Sequence, residues 1–128
     1  MNVASTAAFM PGPLMSVYYA SKAFVFSFSQ ALANELKDTN ITVNTLCPGP
    51  TETEFASAAH MDNSKLFNSP LMKVMDARTV AEMGYNDLMA NKSLTIAGAM
   101  NKVMVQTLRL SPRNAVMNVT RWLMDKRK

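Results

Sequence analysis

Residues 2–36 read NVASTAAFMPGPLMSVYYASKAFVFSFSQALANEL and residues 41–55 read ITVNTLCPGPTETEF. The first stretch opens as the end of a strand at Asn2-Val3-Ala4, turns at Ser5-Thr6 and passes through a loop holding Pro11, Gly12 and Pro13. From about Leu14 to Leu36 the spacing predicts a long helix with two apolar stripes, Val17-Ser21-Phe24-Phe28-Ala31 and Val25-Ser29-Leu32-Leu36. A helix apolar on more than one face is expected to be buried on more than one side. The second stretch is a β-branched run, Ile41 to Cys47, closed by Pro48-Gly49-Pro50, and it reads as a buried strand.

Further along the chain, residues 51–77 read as irregular or weakly helical, with Met61, Leu66, Phe67, Leu71, Met72 and Met75 packing on whatever they cover. Thr79 with Glu82 three residues on predicts an N-cap and capping box for a helix running to about Asn91. Leu94-Thr95-Ile96 reads as a brief strand ending at Gly98. Residues 99–110 and 113–126 read as amphipathic helices split by Ser111-Pro112. Strands alternating with helices imply an α/β fold with a parallel sheet. Three short strands make a small sheet with an open edge. The expectation is that a partner covers that edge or that the chain is the C-terminal part of something larger.

Composition bounds the chemistry. The chain has 128 residues, enough for one domain, with 48% hydrophobic and 17% charged residues against a usual charged fraction of about 25%. Low charge with few Gly and Pro argues against disorder and coiled coil. One Cys and one His exclude a disulfide framework within the chain and a His/Cys metal cluster, so no metal is expected. No apolar run reaches the roughly 18 residues of a membrane span, and the N-terminus lacks a basic signal-peptide head, so a cytoplasmic protein is the default. Residues 99–128 carry seven bases and one acid, a net +6, within an overall +4. That basic tail reads as a solvated helical face or as a peripheral contact with anionic lipid or another acidic surface. Nucleic-acid binding is not expected, because no aromatic platform is interleaved with the bases.

Between Met1 and Asn34 there is one charged residue, Lys22, one helical turn after Tyr18. An ammonium near a phenol favours the phenolate and brings a tyrosine of ordinary pKa about 10 toward working pH. A tyrosine so placed becomes a usable general acid/base. On spacing alone, a snorkelling lysine beside a core tyrosine explains the pair equally well. Ser5, thirteen residues before Tyr18 at a strand exit, adds a hydroxyl that could meet the start of the helix. His60 reads as a surface residue and Cys47, at a buried strand end, as an inert core thiol.

Ser5, the Tyr18-to-Lys22 spacing with its Ala20-Ser21-Lys22 context, and the downstream Pro48-Gly49 with Thr53 together resemble the short-chain dehydrogenase/reductase family. The resemblance is strong over residues 1 to about 55 and loose over 78–98. It implies a partial Rossmann-like, doubly wound parallel sheet: the C-terminal half of that family's fold, with a helix-rich C-terminus. On that reading residues 1–54 are a catalytic segment, 55–77 a substrate lid, 78–98 the helix and last strand, and 99–128 a basic helical tail.

The implied activity is NAD(P)-dependent interconversion of a carbonyl and an alcohol. Tyr18 is implied as proton donor or acceptor. Lys22 would lower its pKa and hydrogen-bond the nicotinamide ribose, and Ser5 would orient the substrate oxygen. Pro48, Gly49, Thr51 and Thr53 are implied at the nicotinamide of NAD or NADP. Phe9, Met10, Leu14, Met15 and Phe55 are implied to line a pocket for an apolar carbonyl or alcohol, with core and lid packing as the alternative reading of the same residues. The helix 14–36 and the open sheet edge are implied as surfaces for a homo-oligomer or a partner chain.

One departure is large. The four glycines, Gly12, Gly49, Gly84 and Gly98, are too far apart to form the glycine-rich turn that holds the cofactor pyrophosphate. The sequence therefore carries two functional expectations, a reductase piece using Ser5, Tyr18 and Lys22, or a truncated, inactive relative acting as a structural or interaction subunit.

Overall fold

The structure, a computed structural model, describes residues 1–61, 64–68 and 74–125. Of the residues singled out above, Leu71, Met72 and the terminal Lys126, Arg127 and Lys128 lie outside that set. Strands β1 (Asn2–Val3), β2 (Thr45–Cys47) and β5 (Leu94–Ile96) form a parallel sheet in the order β1-β2-β5. Thr45 pairs with both Asn2 and Leu94. The ladder continues past β1, because the N–H of Ala4 donates to the Leu46 carbonyl and that of Thr6 to the Pro48 carbonyl, each at 2.8 Å. Of the run Ile41–Cys47, the last three residues are strand and Ile41 is exposed. Strand length here is set by the partners, which offer two and three residues to pair with.

Successive side chains on β2 point to opposite faces, and the two faces bury different helices. Cys47 packs with Ala4, Ile96 and Val105, joined by Phe9, Val25 and Phe26. Val25 and Phe26 come from helix α1 (Ser16–Glu35) and Val105 from α5 (Ala99–Leu110). Leu46 faces the other way, onto Val80 of α4 (Ala77–Met89) and Ala97. Gly84 lets α4 approach, since a Cβ there would lie 2.9 Å from a Leu46 methyl. Helices thus cover both faces of a parallel sheet, the doubly wound arrangement expected from the alternation of elements.

Polar side chains tie α1 to the sheet. Asn2 donates to the Ser29 hydroxyl at 3.0 Å, and Gln30 donates to the Thr45 hydroxyl at 3.1 Å and to the Ser93 carbonyl at 3.2 Å. The stripe Val25-Ser29-Leu32-Leu36 is therefore the inward one. The stripe Val17-Ser21-Phe24-Phe28-Ala31, expected to be buried, faces outward: Val17 is 82%, Phe24 71% and Phe28 53% exposed. The sheet lies on one side of α1, and among the described residues nothing covers the other.

Three further expectations are corrected. Helix α1 begins at Ser16 rather than Leu14, because Leu14 adopts a left-handed conformation with φ 71°. Helix α4 begins three residues early: Asp76 is its N-cap, accepting from the Thr79 N–H at 2.8 Å and the Thr79 hydroxyl at 3.0 Å. Thr79 is thus the capped residue, and Glu82 pairs with Arg78 at 3.0 Å instead of closing a box. The described residues within 51–77 also form strands that their composition does not suggest. β3 (Thr51–Glu52) pairs in parallel with β4 (Met75–Asp76), and between them lie the short helices α2 (Phe55–Ala58) and α3 (Lys65–Asn68). The last helix, α6, spans Arg113–Met124.

Val105 is fully buried in the core, while Val103, on the same helix, is 61% exposed. Val105→Ala is expected to cost about 2 kcal/mol of unfolding free energy in urea, and Val103→Ala less than about 0.5 kcal/mol.

Candidate active site

The loops that leave the carboxyl ends of the strands build the site. After β1 the chain enters a 3-10 turn, Thr6–Phe9, capped by Ser5, whose hydroxyl accepts the Ala7 N–H at 3.1 Å. The same hydroxyl donates to the Pro48 carbonyl over a long 3.4 Å. One lone pair stays open and the proton is weakly held, so the group can turn to a substrate oxygen.

Tyr18 lies in the first turn of α1. Its ring is bracketed by Phe55 at 5.2 Å and Tyr19 at 5.9 Å between centroids. One turn on, the Lys22 Nζ lies 5.8 Å from the Tyr18 ring centre and donates to the Val3 carbonyl at 3.1 Å. That bond uses one of three ammonium protons.

These elements open onto a cavity of about 650 Å³. Ser5 and Tyr18 line it, as do the backbone turn Pro48-Gly49, Thr51 and Thr53, and the apolar Met10, Met15 and Phe55. Three of the expected residues fall outside its lining. Phe9 turns into the core, its ring 4.7 Å from that of Phe26, because the 3-10 turn points it at the sheet. Leu14 is 63% exposed, carried outward by its left-handed backbone. Lys22 lies behind Tyr18, reaching the edge of β1.

The sequence reading missed the far wall. It comes from α5 and α6: Met104 and Leu108 on the first, Val116, Thr120, Leu123 and Met124 on the second. The spacing of Val116, Thr120 and Met124, four apart, is the signal for that inward face. The exposed bases of the same two helices, Lys102, Arg109, Arg113 and Arg121, mask it in the sequence. Asn101 was also missed. It donates to the Ala97 carbonyl at 2.6 Å and fills the space against Gly49, where a Cβ would come within 2.4 Å of its amide. The Pro48-Gly49 turn is thereby braced from behind by α5.

Donors are available for the nicotinamide end of a dinucleotide. Thr51 donates to the Gly49 carbonyl at 2.9 Å, which rigidifies the turn. Thr53 accepts the Phe55 N–H at 3.3 Å and keeps its own proton free. Were a nicotinamide cofactor held at this turn, Thr53 and the spare Lys22 protons would be the groups left to meet its carboxamide and ribose. The pyrophosphate is different, since no glycine-rich turn exists among these 128 residues to cradle it.

The family model for short chain dehydrogenase matches residues 1–64. The chain belongs to the short-chain dehydrogenase family. Curated relatives include mouse 17-beta-hydroxysteroid dehydrogenase type 3, 38% identical over 76 residues, which are 59% of this chain and 22% of that protein. The 3-oxoacyl-[acyl-carrier-protein] reductase FabG of Vibrio harveyi is 34% identical over 63% of this chain and 34% of its own length. Among solved structures, a short-chain dehydrogenase from Sphingobium yanoikuyae in complex with NADPH superposes with a TM-score of 0.65 at 28% identity. That match covers 85% of this chain and 42% of that one. A 7beta-hydroxysteroid dehydrogenase structure gives a TM-score of 0.76 at 20% identity over 93% of this chain and 46% of that one, a likeness of fold. The chain thus spans about a fifth to a third of these curated relatives and under half of the solved structures.

Cys47, fully buried beneath the site, has its thiol pushed by burial up to about 11 from 9.0, against smaller opposing effects of the Ser5 backbone and the Lys22 charge. Burial likewise pushes the Tyr19 phenol up to about 12, with the neighbouring Tyr18 adding to it. Both groups are held neutral by the fold, so their contribution to stability is complete below the unfolded-state pKa and is lost as pH rises through the folded-state value. The thermal midpoint is expected to hold level from neutral pH to about 9 and to fall above it as the unfolded thiol ionises. Iodoacetamide is expected to label Cys47 at neutral pH in urea-unfolded chain and not in native chain, as read by intact mass.

Proposed function

We propose that the chain supplies the catalytic and substrate-binding half of an NAD(P)-dependent oxidoreductase that interconverts an apolar ketone or aldehyde and the corresponding alcohol. The observation that carries this reading is the convergence of Tyr18, Ser5 and the braced Pro48-Gly49 turn on one largely apolar cavity. A substrate carbonyl entering the cavity would accept from Tyr18 Oη and Ser5 Oγ. Tyr18 would give its proton to the oxygen as the alcohol forms, or take it in the reverse direction. The Lys22 charge, held one turn away by the Val3 carbonyl, offsets the negative charge that develops on the phenol oxygen. A bound NAD or NADP would supply or accept the hydride.

Apolar walls from Met10, Met15, Phe55 and α6 favour a bulky hydrocarbon around the carbonyl. The names of the curated relatives, a hydroxysteroid dehydrogenase and an oxoacyl reductase, support that class. The pyrophosphate grip would come from residues other than these 128. The test is a fluorescence titration with NADPH and NADH, followed by ketone reduction by the chain and by Tyr18→Phe. The variant keeps the ring contacts to Phe55 and Tyr19. It is expected to lose about 10²–10⁴-fold in kcat with cofactor affinity unchanged. Equal turnover by the variant would overturn the reading.

A second reading, a binding or structural subunit, is favoured by the outward stripe of α1. Phe24 and Phe28 stack there with rings 6.2 Å apart and nearly parallel, exposed to solvent. An exposed apolar stripe of this kind marks a docking surface, here for a second copy or a partner chain. Light scattering is expected to give an oligomer for the chain and a monomer for Phe24→Asp combined with Phe28→Asp.

A further inference from the structure

In the cavity lining, beside α6, two hydroxyls lie among sulfur and hydrocarbon. The Tyr19 Oη donates to the Met124 thioether at 3.7 Å. Thioether sulfur is a weak acceptor, so this buried phenol has a poor partner for a strong donor. One turn back on α6 from Met124, Thr120 is 1% exposed and donates to the Val116 carbonyl at 2.8 Å. Its single proton is committed there, so the 3.5 Å approach of its oxygen to the Met10 sulfur is packing, and its lone pairs are open. Tyr19 therefore offers a donor and Thr120 an acceptor along one stretch of α6, each covered by a flexible methionine that can swing aside.

The position of the phenol is enforced. The Tyr19 ring lies flat against Gly12, where a Cβ would come within 2.1 Å of it. Tyr19 also lines the second cavity, between the 3-10 turn and α6, so its ring is a wall between the two. Neither hydroxyl has a part in the proton transfer assigned to Tyr18 and Ser5.

We propose that Tyr19 and Thr120 form a distal recognition subsite for a hydroxyl group carried by an apolar substrate away from its reacting carbonyl. A hydroxyl suits it better than a ketone, because it can both accept, as the Tyr19 donor requires, and donate, as the Thr120 acceptor requires. This inference rests on the cavity being the substrate site of the oxidoreductase reading. Burial keeps the Tyr19 phenol protonated, and so a donor, at every pH of ordinary use.

The experiment compares binding of 2-alkanones with their ω-hydroxy counterparts of graded chain length, by calorimetry on the chain and on two variants, Tyr19→Phe and Thr120→Val. Binding is read without turnover, so the outcome is separate from whether Tyr18 supports reduction. One chain length of the hydroxylated series is expected to bind better than its parent. Each variant is expected to lose roughly threefold to tenfold of that preference while binding the parent ketones as before. Equal affinity of the two series for the chain, or loss of affinity for both series alike in both variants, would overturn the subsite. Ligand preference without Tyr18-dependent reduction would leave the subsite standing and remove the reductase reading.

Discussion

The hydrogen bond from the Thr6 N–H to the Pro48 carbonyl, 2.8 Å long, is the constraint on which the rest of the site depends. It extends the β1–β2 pairing past the strand ends, from Val3 on to Thr6 on one side and from Cys47 on to Pro48 on the other. The cap residue Ser5 and the Pro48-Gly49 turn are thereby held side by side, although 43 residues separate them in sequence. The Ser5 hydroxyl is then anchored by the Ala7 N–H it accepts, with only a long bond to the Pro48 carbonyl on its proton. Helix α1, tied to the same sheet through Ser29 and Gln30, delivers Tyr18 to that junction.

A parallel sheet this small has little of its own to stabilise it, and its two faces are covered unequally. Cys47 and Val105 lie in one core, Leu46 and Val80 in another. A third apolar cluster, around Tyr19, Met61 and Met124, lies beyond the sheet altogether and joins α1, the segment after α2, and α6. The cavity occupies this third region. Its walls are side chains of loops and of helices α1, α4, α5 and α6 rather than of the strands β1, β2 and β5, so its shape can vary while the sheet stays constant.

Much of the fold was legible locally. Alternating strand and helix patterns, the Pro-Gly closure after Cys47 and the four-residue step from Tyr18 to Lys22 are short-range features, and they gave the right class and the three strands of the main sheet. The misreadings have a common physical origin, because each depended on what lay opposite. The two stripes of α1 are equally apolar in sequence, and only the position of the sheet makes one of them solvent-facing. Asp76 caps α4 in place of Thr79 because β4 ends there in extended conformation, with its carboxylate aimed at the next turn. Phe9 and Leu14 follow Ser5 closely in sequence, yet a 3-10 turn sends one into the core and a left-handed residue sends the other outward.

The sequence by itself determined the family and singled out Ser5, Tyr18 and Lys22, since their spacing is local: Lys22 follows Tyr18 by one helical turn, and Ser5 lies at the strand exit before that helix. Tertiary structure alone decided what the cavity is made of. The Tyr19 phenol meets Met124 across 105 residues of chain, and Thr120 meets Met10 across 110. No local period encodes such pairs. They arise because the apolar face of α6 finds its burial against the start of α1 and the loop after β1, and that packing turns a helix marked in sequence by its bases into the inner wall of the site.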